Sequence, residues 1–251
     1  MNPKRFSVRG QCVLALLILL TGLLSPGRAA AGDAFAHGVQ LSQAGQFPEA
    51  AAAFQDAVRA QPAAGTLVNL GLAEWQRGHA GAAILAWEQA RWIDPADPRA
   101  AANLNFARQV AQVEEPELKW YETVSTWSAP HAWGWLAVGA LWFGVGLLVV
   151  PRVFRWSPAA WRHWLAALAF GIFLFSLTGN AGVWSRTQIG FVLKMNAPLQ
   201  LTPTRGGEVV ATLAAGQPVR QVRKRGDYVF VLTPGGSGWL AQDGFGLVCP
   251  P

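Results

Sequence analysis

Cysteine occurs only twice in the 251 residues, as Cys12 and Cys249. Two thiols cannot build a disulfide framework or a thiolate metal site, so packing alone must hold the domains together. The four histidines are far apart in the sequence, and none has the spacing of a paired metal ligand. We therefore expect a protein that contains no metal and no cofactor.

Motifs for catalysis are also missing from the sequence. It has no Walker loop, no complete dinucleotide-binding glycine motif after a strand and no nucleophile elbow. Glu114, Glu115 and Glu117 are close together, but nothing in the sequence fixes their geometry as an acid and base pair. We predict that the chain is not an enzyme.

Charged residues make up 14% of the chain and hydrophobic residues 52%, which is more apolar than an ordinary soluble protein. The net charge of +6 comes from residues 1–32, 151–163 and 186–251, whereas residues 33–122 carry more acids than bases. Short basic stretches of this kind orient membrane segments more often than they bind nucleic acid. We expect contact with a membrane and none with nucleic acid.

An export signal is predicted at residues 1–31. Three basic residues precede the apolar run Val13–Leu24, and three alanines follow it, so cleavage is expected before Gly32. The alternative is an uncleaved anchor at the same place. Both versions export the residues that follow.

Two later segments, residues 132–150 and 164–185, contain no charged side chain and are predicted transmembrane helices. The shorter segment would span about 28 Å as a helix, close to the hydrocarbon thickness of a bilayer. The loop between them, residues 151–163, carries three arginines and no acid, whereas the linker before them, residues 114–131, is acidic. Because positive loops stay in the cytoplasm, we expect both flanking domains on the opposite side.

Small and polar residues cluster in the second predicted span: Ser176, Thr178, Gly179 and Asn180. In lipid, such residues prefer to face another helix. The sequence leaves open whether that helix is the first span or belongs to a partner protein.

Residues 32–113 repeat with a period of 33 residues. In each copy, small residues allow two antiparallel helices to approach, a glycine ends the first helix, an aromatic ring fills the space between them and a proline stops the second. The matched pairs are Gly38 and Gly71, Gly45 and Gly78, Ala50 and Ala83, Phe54 and Trp87, Ala57 and Ala90, and Pro62 and Pro95.

This pattern resembles the tetratricopeptide repeat (TPR), best in the second copy between Asn69 and Pro95. A third opening helix is predicted at Asp97–Val113. The resemblance implies an α-helical TPR solenoid with a concave groove for a peptide. The residues at groove-facing positions are Val68, Asn69, Leu72, Trp75, Gln76, Arg99, Asn103 and Phe106. In the alternative interpretation, the asparagines bond to neighbouring loops and Trp75 covers the stack or the membrane surface.

Residues 190–251 change to an alternation of period two, with about five short strands separated by turn residues, which is typical of a small all-β barrel. The succession from Val209 through Gly216 and Gly226 to Gly238-Trp239-Leu240 resembles the bacterial SH3 domain. The resemblance makes Tyr228 and Trp239 candidate groove aromatics. Packing of the Trp239 indole inside the barrel is the alternative.

The order of these parts is similar to that of the aerotolerance (Bat) proteins of the BatE type. The resemblance implies a multi-domain adaptor of the bacterial inner membrane, with the TPR and SH3-like domains in the periplasm. It also implies partners of the kinds encoded with that family, von Willebrand A-domain membrane proteins and a MoxR-type AAA ATPase. The alternative function is peptidoglycan binding by the SH3-like domain.

The charge asymmetry predicts the side of the membrane on which each domain lies. In intact spheroplasts, Gln55→Cys and Gln242→Cys should react with a membrane-impermeant thiol reagent. Ala159→Cys should not react, because the arginine-rich loop stays in the cytoplasm. Labelling of Ala159→Cys alone would contradict this topology and move both domains into the cytoplasm.

Overall fold

The computed structural model describes residues 26–155 and 159–249. Within these ranges, eight α-helices are followed by a seven-stranded antiparallel sheet. The apolar run of the predicted export signal, Val13–Leu24, lies outside the described residues. The predicted cleavage point before Gly32 lies inside the first helix.

The first five helices cover the repeat, and each packs against the next along the chain. Asp97 caps the fifth helix, because its carboxylate accepts a hydrogen bond from the backbone N–H of Arg99 at 2.8 Å. This helix ends before Gln112, which has a positive φ of 53°, and is therefore shorter than the predicted Asp97–Val113. The helices are α1 (Pro26–Gln43), α2 (Phe47–Ala60), α3 (Ala64–Gln76), α4 (Ala80–Ile93) and α5 (Pro98–Ala111).

Two glycines make the close helix contacts that the repeat predicts. Gly38 in α1 lies against the ring of Phe54, and a Cβ atom at this position would be 2.7 Å from the ring. Gly71 in α3 lies against the indole of Trp87 in the same way, at 2.4 Å. Both rings are buried in the core, so an added methyl group would have no free space.

Two further glycines end the first helix of each repeat unit. Gly45 and Gly78 have φ angles of 76° and 80°, in the left-handed region that residues with a Cβ atom rarely adopt. The chain then turns into α2 or α4. The spacing of 33 residues therefore corresponds to two copies of one helix pair.

The next three helices are α6 (Trp120–Ser125), α7 (Pro130–Val153) and α8 (Ala160–Arg186). α7 and α8 are long and apolar enough to cross a bilayer. In the most apolar 18-residue stretch of each helix, only 11% (α7) and 28% (α8) is buried inside the protein. Both helices extend beyond the predicted spans 132–150 and 164–185 into the loop at residues 151–163. The segment predicted as a linker, residues 114–131, contains α6 and the start of α7.

Two residues of the small and polar cluster in α8, Ser176 and Gly179, are buried. Gly179 lies beneath the indole of Trp133, where an added Cβ would be 2.2 Å from a ring atom. Ser176 is fully buried, and its carbonyl accepts a hydrogen bond from the amide of Asn180 at 2.9 Å. Gly179 therefore has the first of the two roles that the sequence left open, packing within the hairpin.

The sheet follows α8 directly and has the strand order β3-β2-β6-β5-β4-β1-β7. It has seven strands, where the sequence predicted about five, because β1 and β7 show no alternation in the sequence. β1 pairs with both β4 and β7. The strands are β1 (Ile189–Val192), β2 (Ala197–Gln200), β3 (Val209–Leu213), β4 (Pro218–Arg225), β5 (Tyr228–Thr233), β6 (Gly236–Ala241) and β7 (Phe245–Leu247).

The sheet and the helical repeat share a hydrophobic core. Ile189 and Phe191 of β1 are buried in the same cluster as Ile84 of α4. The side-chain amide of Gln89 in α4 donates a hydrogen bond to the carbonyl of Leu247 at 2.9 Å. An isolated fragment 190–251 would therefore lose apolar packing that it has in the full chain.

A pair of glycines in α3 tests the close helix contact. Gly71→Ala should lower the free energy of unfolding by about 1 to 3 kcal/mol, because the methyl group would overlap the buried Trp87 indole. Gly65→Ala is the matched control, since a Cβ there is 3.8 Å from the nearest atom, on Arg99. Thermal unfolding of both variants in detergent measures the difference. Equal stability of the two variants would contradict the assigned packing.

Candidate functional site

An exposed apolar surface lies on α3 and α5, and we call it the helical patch. It consists of Leu72, Trp75, Phe106 and Val110. The side chains of Leu72, Phe106 and Val110 are 42%, 56% and 58% exposed. Trp75 lies between the two helices, with its ring centroid 5.7 Å from that of Phe106. These four side chains form a continuous surface that an apolar ligand can cover.

Trp75 also has a structural role. Its ring centroid is 6.0 Å from that of the buried Trp87, so it covers part of the helical core. The Trp87 indole donates a hydrogen bond to the carbonyl of Val68 at 3.1 Å. The side chain of Val68 is buried and is not part of the exposed surface.

The polar residues predicted for the groove make mostly local contacts. The amide of Asn69 donates to the Gly65 carbonyl of the same helix at 3.1 Å. The guanidinium of Arg99 donates to the Asp97 carboxylate that caps α5. Gln76 is exposed and Asn103 is half-buried. The apolar members therefore form the main part of this candidate site.

The sheet carries a second group of side chains, on the face opposite its own apolar cluster. Trp239 is directly opposite Phe230 in the register, and the two ring centroids are 5.2 Å apart. The Arg223 guanidinium carbon lies 5.0 Å from the Phe230 centroid and 5.1 Å from the Trp239 centroid. Gln200 is opposite Trp239 on the next strand. We call Gln200, Trp239, Phe230 and Arg223 the aromatic row.

Trp239 is buried, with 5% of its surface exposed, as one of the two sequence-based alternatives expects, but it lies outside the interior cluster of the sheet domain. The interior cluster contains the neighbours Val229 and Leu240, which point to the other face. Tyr228 is two residues before Phe230 and lies on the same face as Trp239. The two predicted groove aromatics therefore share one face of the sheet.

A buried carboxylate joins α6, α8 and the sheet, and we call its contacts the Glu122 junction. The Glu122 oxygens accept hydrogen bonds from both terminal nitrogens of Arg220 in β4, at 2.9 and 3.0 Å. They also accept from the Ser185 hydroxyl at the end of α8 and, at 2.9 Å, from the Lys119 backbone N–H. One side chain thus connects three elements that are far apart in the sequence.

The electrostatics of the junction favour the ionised carboxylate. Burial alone would raise the pKa of Glu122, but the hydrogen bonds from Arg220, Ser185 and the Lys119 N–H outweigh burial and hold the pKa below its ordinary value. Gly182 of α8 lies so close to α6 that an added Cβ would be 2.2 Å from the Tyr121 carbonyl oxygen. The junction is therefore rigidly packed as well as charged.

A second buried ion cluster lies between the helices. Arg108 of α5 pairs with the carboxylates of Glu88 in α4 and of Glu115 after α5. Burial raises the pKa of Glu88, although Arg108 and Arg91 oppose that effect. Across residues 26–155 and 159–249, no group of three or more His, Cys, Asp or Glu side chains could hold a metal ion.

A cleft of about 670 Å³ lies beside the junction, between the acidic segment after α5 and strands β4 and β5. Leu118 and Val219 line it, as do the exposed carboxylates of Glu114 and Glu117. Arg220 also lines the cleft. Solvent in the cleft therefore reaches one partner of the Glu122 junction.

Some of these residues could not be selected from the sequence. Val110 is four residues after Phe106 on one helix and could have been found from that spacing. Phe230 and Arg223 alternate with core residues, but alternation does not indicate which face is the interior. Glu122 has its partner 98 residues away and gives no local signal.

Comparison with known proteins gives no match, since no protein-family model, curated protein or solved structure matches the chain.

The Glu122 junction predicts a pH-dependent stability. Glu122→Gln should lower the free energy of unfolding by about 3 kcal/mol at neutral pH, because Arg220 would lose its counter-charge at a largely buried site. The folded-state pKa of Glu122 lies below its unfolded value. The contribution of Glu122 to stability is therefore fully present above its unfolded-state pKa and is lost as the pH falls through its folded-state pKa. Thermal unfolding from about pH 3 to 7 measures this contribution.

The matched control is Asp243→Asn, which removes the carboxylate of the exposed pair with Lys194 and should cost less than about 1 kcal/mol. The Glu122→Gln variant should also lose less stability than the wild type as the pH falls. Identical pH profiles of the wild type and Glu122→Gln would contradict the assigned role of the junction.

Proposed function

We propose that this protein is a non-enzymatic, membrane-anchored adaptor that binds protein partners through its helical repeat and its SH3-like sheet. The observation that carries the proposal is the helical patch, an exposed apolar surface on the opening helices of two successive repeat units. Exposed aromatic and aliphatic side chains grouped in this way are typical of protein interaction sites.

The interpretation of the repeat as TPR units supports this function. Glycine and aromatic pairs at a spacing of 33 residues build two similar helix pairs, and the patch lies on the helices that line the groove of a TPR stack. The groove would be short, because only α3 and α5 contribute to the patch. A short groove suits a single amphipathic or extended segment of a partner better than a large folded surface.

Membrane anchoring comes from α7 and α8, which are long and apolar enough to cross a bilayer. With the arginine-rich loop inside, the repeat and the sheet lie in the periplasm, and the export signal agrees with this orientation. The resemblance to BatE-type Bat proteins then implies partners in the same membrane, such as von Willebrand A-domain proteins, working with a MoxR-type AAA ATPase.

Crosslinking from the helical patch tests this function. A photoreactive amino acid at Phe106 should form an adduct with one envelope protein in membranes of the native host. Adding Leu72→Ser should weaken the partner affinity about thirtyfold and remove most of the adduct, because interface energy is concentrated in a few buried apolar contacts. Leu72 is substituted in preference to Trp75, because truncation of Trp75 would also disturb the packing of Trp87.

The matched control places the photoreactive amino acid at Met195, which is 74% exposed and lies outside the patch. No adduct should form from that position. Circular dichroism should show that Leu72→Ser remains helical. An unchanged adduct yield after Leu72→Ser would contradict the proposal, as would binding of the full chain to purified sacculi with no protein adduct.

A further inference from the structure

The aromatic row crosses four neighbouring strands, β2, β6, β5 and β4. The register places Gln200 opposite Trp239, Trp239 opposite Phe230, and Phe230 opposite Arg223. Directly opposite residues in a sheet are about 5 Å apart, so the row is about 15 Å long. It therefore has aromatic rings in the middle and a different polar group at each end.

Arg223 is the charged end of the row. The guanidinium is exposed and lies over two aromatic rings, which hold it in place by cation–π attraction. None of the ion pairs among the described residues involves Arg223, and the same is true of its neighbours Lys224 and Arg225. A positioned guanidinium without a carboxylate is suited to bind an external anion in a bidentate manner.

Gln200 is the other end of the row. Its side-chain oxygen Oε1 is buried and has no hydrogen-bond partner among the described residues. A buried acceptor without a donor is costly, and a ligand that supplies an N–H group removes that cost. The row thus combines an unpaired cation, an aromatic centre and an unsatisfied acceptor.

We infer that the aromatic row binds an acidic peptide segment of a partner protein. A carboxylate of the peptide pairs with Arg223, an apolar side chain covers Phe230, and a backbone N–H of the peptide donates to Gln200. The acceptor favours a peptide over a lipid phosphate, because a phosphate ester offers no backbone donor. This inference deepens the proposed adaptor function and depends on it, since it gives the sheet a ligand chemistry.

Peptide binding to the full chain in nanodiscs of neutral lipid tests the inference. The probe is a fluorescent octapeptide of alternating valine and glutamate, and its counterpart has glutamine in place of glutamate. The glutamate peptide should bind at least about tenfold more tightly, because only it forms charge-assisted hydrogen bonds with Arg223. Equal affinity of the two peptides for the wild-type protein would overturn the inference.

Variants of the row locate the binding site. Arg223→Gln should remove the preference for glutamate, whereas Arg223→Lys should keep part of it, because lysine retains the charge but loses the bidentate geometry. Lys224→Gln is the control and should change the affinity less than about twofold, since Lys224 is opposite Val229 and points to the other face. Gln200→Met should weaken binding about threefold. A full preference for glutamate in Arg223→Gln would overturn the inference.

Two further measurements separate the alternatives. Binding to anionic vesicles or to purified sacculi, without binding of the glutamate peptide, would replace the peptide with a lipid or cell-wall ligand and overturn the inference. The Phe106 crosslink should persist in Arg223→Gln, because the helical patch does not include the sheet. Failure of the wild-type protein to bind the glutamate peptide, with a retained Phe106 crosslink, would therefore refute this site while leaving the adaptor function intact.

Discussion

The bidentate ion pair between Glu122 and Arg220 joins the hairpin of α7 and α8 to the sheet. Glu122 is in α6, just before α7, whereas Ser185 is at the end of α8 and Arg220 is in β4 of the sheet. Because the pair is buried, it stabilises only when both partners are present and correctly placed. This ion pair fixes the position of the sheet at one end of the hairpin. The position of the helical repeat is then fixed as well, because the repeat shares a hydrophobic core with β1.

Local patterns predicted most of the fold, and long-range contacts account for what they missed. The 33-residue period that pairs Gly38 with Gly71 and Phe54 with Trp87 predicted a close helix crossing, because small residues let two helices approach and a ring fills the space between them. The sequence places Glu122 in the predicted linker 114–131, since no local pattern connects it with Arg220. For Trp239, alternation along the strand does not show which face is the interior, and its indole is buried outside the interior cluster, against Phe230 and Arg223.

The two candidate binding surfaces belong to a single body. The helical patch is apolar and offers a partner little charge, whereas the aromatic row presents an arginine without a carboxylate partner among the described residues. Surfaces of different chemistry on one rigid support can recognise two segments of one partner or two different partners. Two weak contacts held at a fixed separation bind more tightly together than either does alone. The proposed adaptor function would gain specificity in this way without a large interface.

The distance between the repeat and the sheet tests most directly whether they form one unit. After Cys12 and Cys249 are replaced by serine, spin labels at the exposed residues Arg59 and Lys224 can be measured by double electron–electron resonance in nanodiscs. A single narrow distance distribution is expected in the otherwise unchanged chain, and Arg220→Gln should broaden it. A broad distribution before that substitution would contradict the account, because the two binding surfaces would then move independently.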